Sequence, residues 1–101
     1  MHLVRDCRIL LVVEIEFDPA KDTANIAKHG VSLRVGRVVL ENLVGAQQDP
    51  RPNDGEVRMQ AFGLIQGRLF CCVYTMRGAS HRVISVRVAS QKEARDWLEN
   101  T

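Results

Sequence analysis

The chain has 101 residues, which is enough for one domain, and we treat residues 1–101 as a single unit. Its hydrophobic share of 46% and charged share of 26% are close to the globular average and exclude a disordered or collagen-like chain. There is no run of eighteen apolar residues, so no membrane span is expected. The apolar residues 9–13 run directly into acidic ones and do not resemble a secretory signal, so we expect a cytoplasmic protein.

The charge is concentrated in one part of the sequence. The formal net charge is +2, but residues 51–89 carry six arginines and two acids, a balance of +4, whereas residues 1–50 and 90–101 each have a balance of −1. Arginine binds phosphate through two parallel hydrogen bonds, which lysine cannot do. The arginine-rich segment is therefore either a surface for a polyanion or an ordinary solvated strand surface, and charge alone leaves both interpretations open.

The three cysteines predict neither a disulfide nor a metal site. Cys7 stands alone, and Cys71 and Cys72 are adjacent, so a strand would direct them to opposite faces. There is no C-x-x-C motif, and no histidine pairs with a cysteine at zinc-ligand spacing. We expect reduced, structural cysteines, no bound metal and no cofactor.

The first part of the chain predicts a strand and then two helices. Residues 8–17 are rich in β-branched side chains and end in alternation, as a half-buried strand does. Asp18 and Pro19 are typical of a helix start, and the helix should end at His29 before Gly30. We expect this helix to bury a narrow apolar stripe, namely Ala20, Ala24, Ile26 and Ala27.

A second helix and a long loop should follow. Apolar residues at helical spacing from Ser32 to Leu43 predict the helix, and the prolines and polar residues of 46–55 predict the loop. Three strands come next, over residues 56–66, 68–76 and 81–89, separated by tight turns. In the last strand, alternation places Ile84, Val86 and Val88 opposite Val83, Ser85 and Arg87.

The chain should end in a helix that begins with a capping box of Ser90 and Glu93. Ala94, Trp97 and Leu98 fall on one side of it. The predicted order is therefore β-α-α-β-β-β-α, an α+β domain with an antiparallel meander. We expect the helices to pack on one sheet face and to leave the other partly open.

Three polar residues of the meander are candidates for a shared site. Arg58, Tyr74 and Arg87 lie on different strands, each opposite the main apolar row of its strand, so they could converge on the open face. Arginines stabilise the charge that develops when a phosphodiester is cleaved, while other side chains move the protons. A tyrosine on a central strand belongs to the core more often than to a catalytic site, and Arg58 and Arg87 could instead be solvated. Lys28 and His29 could act as cations that stabilise a helix C-terminus.

Two blocks of residues carry a resemblance to a known family. The first is Phe17-Asp18-Pro19-Ala20-Lys21, then Asn25, then Lys28-His29-Gly30-Val31-Ser32. The second is Gly55-Glu56-Val57-Arg58, Gly67-Arg68-Leu69, Val73-Tyr74-Thr75 with Arg77-Gly78, and then Arg82, Ile84, Ser85, Arg87 and Ala89. In this order and spacing the blocks resemble the BrnT family of toxins over roughly residues 15–98. Residues 1–13 precede the usual start and are read as a possible N-terminal extension.

The resemblance implies a RelE-like fold and the toxin half of a type II toxin–antitoxin pair. Such a toxin would be a metal-independent endoribonuclease that arrests translation and is neutralised by a BrnA-like ribbon-helix-helix antitoxin. Promoter DNA would be bound only indirectly, through the antitoxin. By matching position, the implied catalytic set is Lys28, His29, Arg58, Tyr74 and Arg87. The implied RNA-binding set is Arg68, Arg77 and Arg82.

Two other functions remain as alternatives. The chain could be a catalytically weak module that binds an antitoxin and shapes its DNA binding, or it could be a simple RNA-binding domain. Tight binding of a partner without RNA cleavage would favour the first. Saturable RNA binding with no partner encoded beside it would favour the second.

Overall fold

The computed structural model describes residues 13–51 and 55–99. Its strands and helices are β1 (Ile15–Glu16), α1 (Pro19–His29), α2 (Val35–Glu41), β2 (Leu43–Gln48), β3 (Met59–Ile65), β4 (Arg68–Arg77), β5 (Ser80–Val88) and α3 (Gln91–Ala94), which continues into a π-helical turn (Arg95–Glu99). The strands form one mixed sheet in the order β1-β5-β4-β3-β2, with β1 parallel to β5 and the other pairs antiparallel. The α+β class is confirmed. No helix in residues 13–51 or 55–99 is long and apolar enough to cross a bilayer.

Strand β2 is the element that the sequence did not predict. The expected second helix ran from Ser32 to Leu43, but α2 spans only Val35–Glu41. Leu43–Gln48 form β2, which pairs with β3, so the loop predicted over residues 46–55 is wrong at its first three residues. The pairing is long-range, so the spacing of apolar residues within the segment did not reveal it. The observed order is β-α-α-β-β-β-β-α rather than the predicted one. In the predicted strand over residues 8–17, residues 8–12 lie outside the described part, and the rest forms only the short β1.

The sheet has two faces, which we name by what covers them. On the helix face, Cys72, Val83 and Val86 pack with Leu33 and Val39 beneath α2. On the arginine face, the core consists of Phe62, Leu69, Cys71 and Val73, with Trp97 of the π-helical turn stacked on Phe62 at a ring-centroid distance of 4.9 Å. Cys71 and Cys72 point to opposite faces, as predicted. The expectation that helices cover only one face is wrong, because the C-terminal helical segment covers part of the other.

Helix α1 has the predicted caps but not the predicted buried stripe. The Asp18 carboxylate accepts a hydrogen bond from the Ala20 N–H at 2.8 Å, and Gly30 ends the helix in the left-handed region with a φ of 73°. The buried side chains are Asp22 and Asn25, while Ile26 is exposed. The stripe prediction is wrong because polar contacts, not apolar packing, attach this helix.

Both buried polar side chains of α1 bind backbone groups outside the helix. Asp22 Oδ1 accepts hydrogen bonds from the Leu33 N–H at 2.7 Å and the Ser32 hydroxyl at 2.9 Å, and these bonds lower the pKa of Asp22. The Asn25 amide donates to the carbonyls of Val31 and Val86, both at 2.8 Å. Val86 lies on β5 beyond the short β1, so Asn25 replaces a missing strand neighbour and fixes α1 beside the sheet.

A β-bulge in β5 decides which of its side chains share a face. Val73 is opposite Ser85 and Tyr74 is opposite Val83, so Ile84 is an extra residue in the ladder. As a result, Ile84 and Ser85 both lie on the arginine face, and Val83 joins Val86 in the core of the helix face. The predicted alternation is therefore correct for residues 85–88. It is wrong for Val83 and Ile84, each of which lies on the face opposite to the one predicted.

Candidate active site

A pocket of about 390 Å³ opens between α1 and the arginine face of the sheet. Its floor includes Val73, Ile84 and Ser85, and no acidic side chain of the described residues lines it. Six basic side chains surround it: Lys21, Lys28, His29, Arg51, Arg58 and Arg87. We call this the arginine pocket. A lining with six basic side chains and, among the described residues, no acidic one suits an anionic ligand.

Helix α1 supplies one wall of the arginine pocket. Lys21, Ala24, Asn25 and Lys28 follow the spacing i, i+3, i+4 and i+7, which places them on one side of a helix. His29 completes this wall. Since Asn25 is bonded to the Val86 carbonyl of β5, the wall is held directly beside the strand that carries Arg87.

Among the three arginines of the pocket, Arg58 is the one without a carboxylate partner in the described residues. It lies one residue before β3, where its carbonyl accepts a hydrogen bond from the Asp49 N–H at 2.8 Å. Its Nε atom is buried and has no hydrogen-bond partner among the described residues, and its guanidinium forms no ion pair with them. A buried donor without an acceptor costs free energy, and a guanidinium without a carboxylate partner leaves its positive charge available to an anion in the pocket.

Arg87 reaches the same pocket because of the bulge. It is opposite Cys71, on the arginine face. If the pairing next to the turn continued without the extra Ile84, Arg87 would be opposite Phe70 on the helix face. Its guanidinium is bound by Glu93, with Nη1–Oε1 and Nη2–Oε2 distances of 2.7 and 2.8 Å. This pair raises the pKa of Arg87 and lowers the pKa of Glu93 to about 2.

The sequence predicted Lys28, His29, Arg58 and Arg87 as site residues, and the structure brings all four together. It missed Lys21 and Arg51. Lys21 is seven residues before Lys28, and this helical spacing could have revealed it. Arg51 carried no local signal, because its place at the pocket depends on where the loop after β2 lies.

Arg51 is itself bound by an acid. Its guanidinium contacts the buried Asp49 carboxylate, with an Nη2–Oδ2 distance of 2.7 Å, and this contact is the main reason why the pKa of Asp49 is lowered. Two of the pocket arginines, Arg51 and Arg87, thus have internal carboxylates as partners.

Tyr74 lies on the other side of the sheet. It is opposite Met59 and Val83, packs against the core of the helix face and contacts the ring of His81 at a centroid distance of 4.9 Å. Burial raises the pKa of its hydroxyl. The expected convergence of three side chains therefore holds for Arg58 and Arg87 and is wrong for Tyr74.

The three arginines assigned to RNA binding lie outside the pocket. Arg77 pairs with Glu56 and Arg82 with Glu16, at Nη–Oε distances of 2.9 and 2.8 Å. Arg68 is exposed, with its guanidinium carbon 6.0 Å from the ring centroid of Phe70 on the helix face.

The cysteines of β4 have no role in the chemistry of the pocket. Both are free and buried, and burial raises the pKa of Cys71 to about 11 and that of Cys72 to about 12. The reactive form of a cysteine is the thiolate, so these side chains are poor nucleophiles near neutral pH. In the described part of the chain, no three histidine, cysteine or acidic side chains are grouped to hold a metal ion.

The family model for the ribonuclease toxin BrnT of type II toxin–antitoxin systems matches residues 17–93. The chain belongs to the BrnT family. No curated protein matches the chain in a sequence comparison. The BrnT match begins just before α1 and ends at Glu93, so every residue that lines the arginine pocket lies inside it. The family consists of ribonuclease toxins, and a type II BrnT toxin implies an antitoxin partner.

Proposed function

We propose that the chain is a metal-independent endoribonuclease, that its cleavage site is the arginine pocket and that cleavage arrests translation. One observation carries the proposal: Lys28, His29, Arg58 and Arg87, from distant parts of the chain, line one pocket. The scissile phosphate gains negative charge in the transition state of RNA cleavage, and guanidinium groups stabilise such charge. In this proposal Arg58 and Arg87 bind and neutralise that phosphate.

The two arginines would bind the phosphate differently. Arg58 has no carboxylate partner among the described residues, so its guanidinium can pair with a phosphate without displacing an internal group. Arg87 keeps Glu93 as a partner and offers the donors that Glu93 does not use.

Proton transfer is assigned to the α1 wall. Cleavage of RNA through its 2′-hydroxyl needs a base for that proton and an acid for the leaving oxygen. Lys28 and His29 line the pocket and are the candidates for these two roles. Tyr74, on the other face, is not assigned a contact with the scissile phosphate. The half-buried side chain of Ile84 supplies an apolar surface for a nucleobase.

The RNA strand would continue beyond the pocket. Arg77 and Arg82 are proposed to contact the flanking backbone near the β4–β5 turn, because their ion pairs with acids are partly exposed. Solvent-exposed ion pairs contribute only about 0 to 1 kcal/mol to stability, so an RNA phosphate can replace the carboxylate as the partner of each arginine. The exposed Arg68 is a further candidate at the opposite end of β4.

The antitoxin is proposed to be BrnA-like, with a ribbon-helix-helix fold, and to bind the promoter on behalf of the complex. A reading frame with a ribbon-helix-helix pattern beside the gene, whose product co-purifies with the chain, would support this partner. A neighbouring product of another fold would contradict it.

We further propose that this toxin acts in the cytoplasm. Its α1, α2 and antiparallel strands are proposed to form a variant of the RelE-type fold.

The test compares purified wild type, Arg58→Gln and Arg37→Gln on an RNA oligonucleotide. Arg58→Gln should slow cleavage about 100-fold, because it removes one transition-state donor. Arg37, exposed on α2 away from the pocket, loses the same charge and serves as the matched control, with an unchanged rate. Excess EDTA should leave cleavage intact. Equal rates for both variants, or loss of activity in EDTA, would contradict the proposal.

The same proposal is tested in bacteria. Wild-type expression should arrest growth and degrade RNA, whereas an Arg58→Ala and Arg87→Ala double variant should permit growth. Equal growth with intact RNA in both cultures would show that the chain is not a nuclease toxin.

A second candidate function is an antitoxin-binding protein with weak nuclease activity. The observation in its favour is that Asp49 and Glu93 already neutralise two pocket arginines. A purified chain that binds its antitoxin tightly and leaves RNA uncut would favour this second function.

A further inference from the structure

The contact between Arg87 and Glu93 uses only one edge of the guanidinium. Glu93 binds end-on, with one oxygen on each of Nη1 and Nη2, at 2.7 and 2.8 Å. An arginine side chain has five N–H donors, so the Nε–H and the outer hydrogen of Nη2 remain as a second fork. This second fork has the geometry that binds phosphate through two parallel hydrogen bonds.

Glu93 is itself held in place by its own helix. Its Oε1 accepts a hydrogen bond from the Ser90 N–H at 2.8 Å, and its own N–H donates to the Ser90 hydroxyl at 3.1 Å, forming a capping box. The segment that follows is fixed to the sheet, since Ala94 and Trp97 pack against the core of the arginine face. The carboxylate is therefore a fixed point, and its low pKa of about 2 keeps it charged near neutral pH.

Arg87 needs such a fixed point more than Arg58 does. The Nε of Arg58 is already buried. Arg87 is repelled by Arg51, and its hydrogen bond besides those to Glu93 is weaker, with the Val88 carbonyl 3.5 Å from Nη1. A long side chain without an anchor would lose its orientation, and misplacement by about 1 Å can reduce a rate about 100-fold.

We infer that Glu93 is a positioning residue for RNA cleavage: it holds the end of the Arg87 guanidinium and leaves the Nε edge free for the scissile phosphate. This inference rests on the proposed function. Glu93 stays bound to Arg87 throughout the reaction and does not touch the RNA. The helix that follows β5 therefore serves the pocket as well as the core.

The test uses two substitutions that separate the ion pair from the helix cap. Glu93→Gln keeps a side chain suited to the capping box but removes the charge, while Ser90→Ala weakens the cap and leaves the ion pair. In single-turnover cleavage with excess enzyme, Glu93→Gln should lower the maximal rate about tenfold. Its half-saturating concentration should stay within about twofold, and Ser90→Ala should change neither value by more than that.

A double-substitution cycle shows whether Glu93 acts through Arg87. In an Arg87→Gln background, Glu93→Gln should cause no further loss of rate. A full tenfold loss in that background would overturn the inference, as would a Glu93→Gln rate equal to or above that of the wild type.

A spectroscopic readout separates this inference from the proposed function. The ¹⁵N–¹H signal of the Arg87 Nε–H should be sharp in the wild type and broadened or lost in Glu93→Gln, with Ser90→Ala like the wild type. If the wild type cleaves no RNA, the proposed function fails, and an unchanged Arg87 signal in Glu93→Gln separately overturns the role of Glu93.

Discussion

The helix face and the arginine face are built from the same strands, yet they are closed in different ways. Helix α2 approaches the helix face so closely that a Cβ on Gly63 would lie 2.2 Å from the Val39 carbonyl oxygen. The arginine face is closed over Phe62 by the Trp97 ring, and the arginine pocket opens between this face and α1. On the helix face, the α2 backbone lies directly against the β3 backbone and closes the core. On the arginine face, a single side chain, Trp97, covers only part of the sheet.

This difference explains why neighbouring residues have different roles. Val73 lines the arginine pocket, while Tyr74, the next residue, packs in the core of the helix face. The pocket also depends on a helix that is attached by polar contacts, through Asp22 and Asn25. We conclude that both faces contribute a buried core and that the arginine face also carries the pocket.

The largest expected effect tests the sealed face. Gly63→Ala should destabilise the protein by about 3 kcal/mol or more, because the new methyl group meets the α2 backbone, which cannot move without disturbing the core. Gly45→Ala is the matched change on the arginine face, where the methyl group meets the Trp97 ring. It should cost about 1 to 2 kcal/mol, because a side chain can shift. Urea unfolding measures both, and equal losses would refute the difference between the faces.

A smaller effect concerns the ion pair on the arginine face. Glu93 has a folded-state pKa of about 2, below its ordinary value of 4.5, so its contribution to stability is complete above pH 4.5 and declines as the pH falls towards 2. After allowance for solvent screening, we expect the ion pair of Glu93 with Arg87 to add about 1 to 2 kcal/mol to the free energy of unfolding. The free energy of unfolding of wild type should exceed that of Glu93→Gln by this amount near neutral pH, and the difference should shrink in acid.

Urea titrations of the two proteins at a series of pH values provide the measurement. Ser90→Ala is the control, because the free energy of unfolding that it loses should change less with pH than the loss in Glu93→Gln. A difference between wild type and Glu93→Gln that stays constant below pH 4.5 would contradict the assigned cause.

The smallest expected effect is on the helix face. Tyr74→Phe should change the rate of RNA cleavage by less than about twofold, because the hydroxyl lies across the sheet from Arg58 and Arg87. The cleavage assay described for Arg58→Gln measures this. A loss approaching that of Arg58→Gln would mean that Tyr74 reaches the substrate and that the two faces are not functionally separate.

The sequence determined the features that depend on near neighbours. The Asp18 cap, the end of α1 at Gly30 and the capping box of Ser90 and Glu93 were predicted and are present, because each is formed by residues a few positions apart. The meander was predicted for the same reason, since its tight turns and alternating strands are local patterns. The family blocks and the strand positions together predicted Arg58 and Arg87 as site residues, and both line the arginine pocket.

The tertiary structure decided what depends on distant partners. Strand β2 forms only because β3 is beside it, and Asn25 is buried only because β1 ends before Val86. The extra residue at Ile84 is decided by packing, because it allows Val83 and Val86 to share the core of the helix face. That single shift also turns Arg87 towards the pocket, and no pattern within β5 indicates it, since the side chains of a regular strand alternate without interruption.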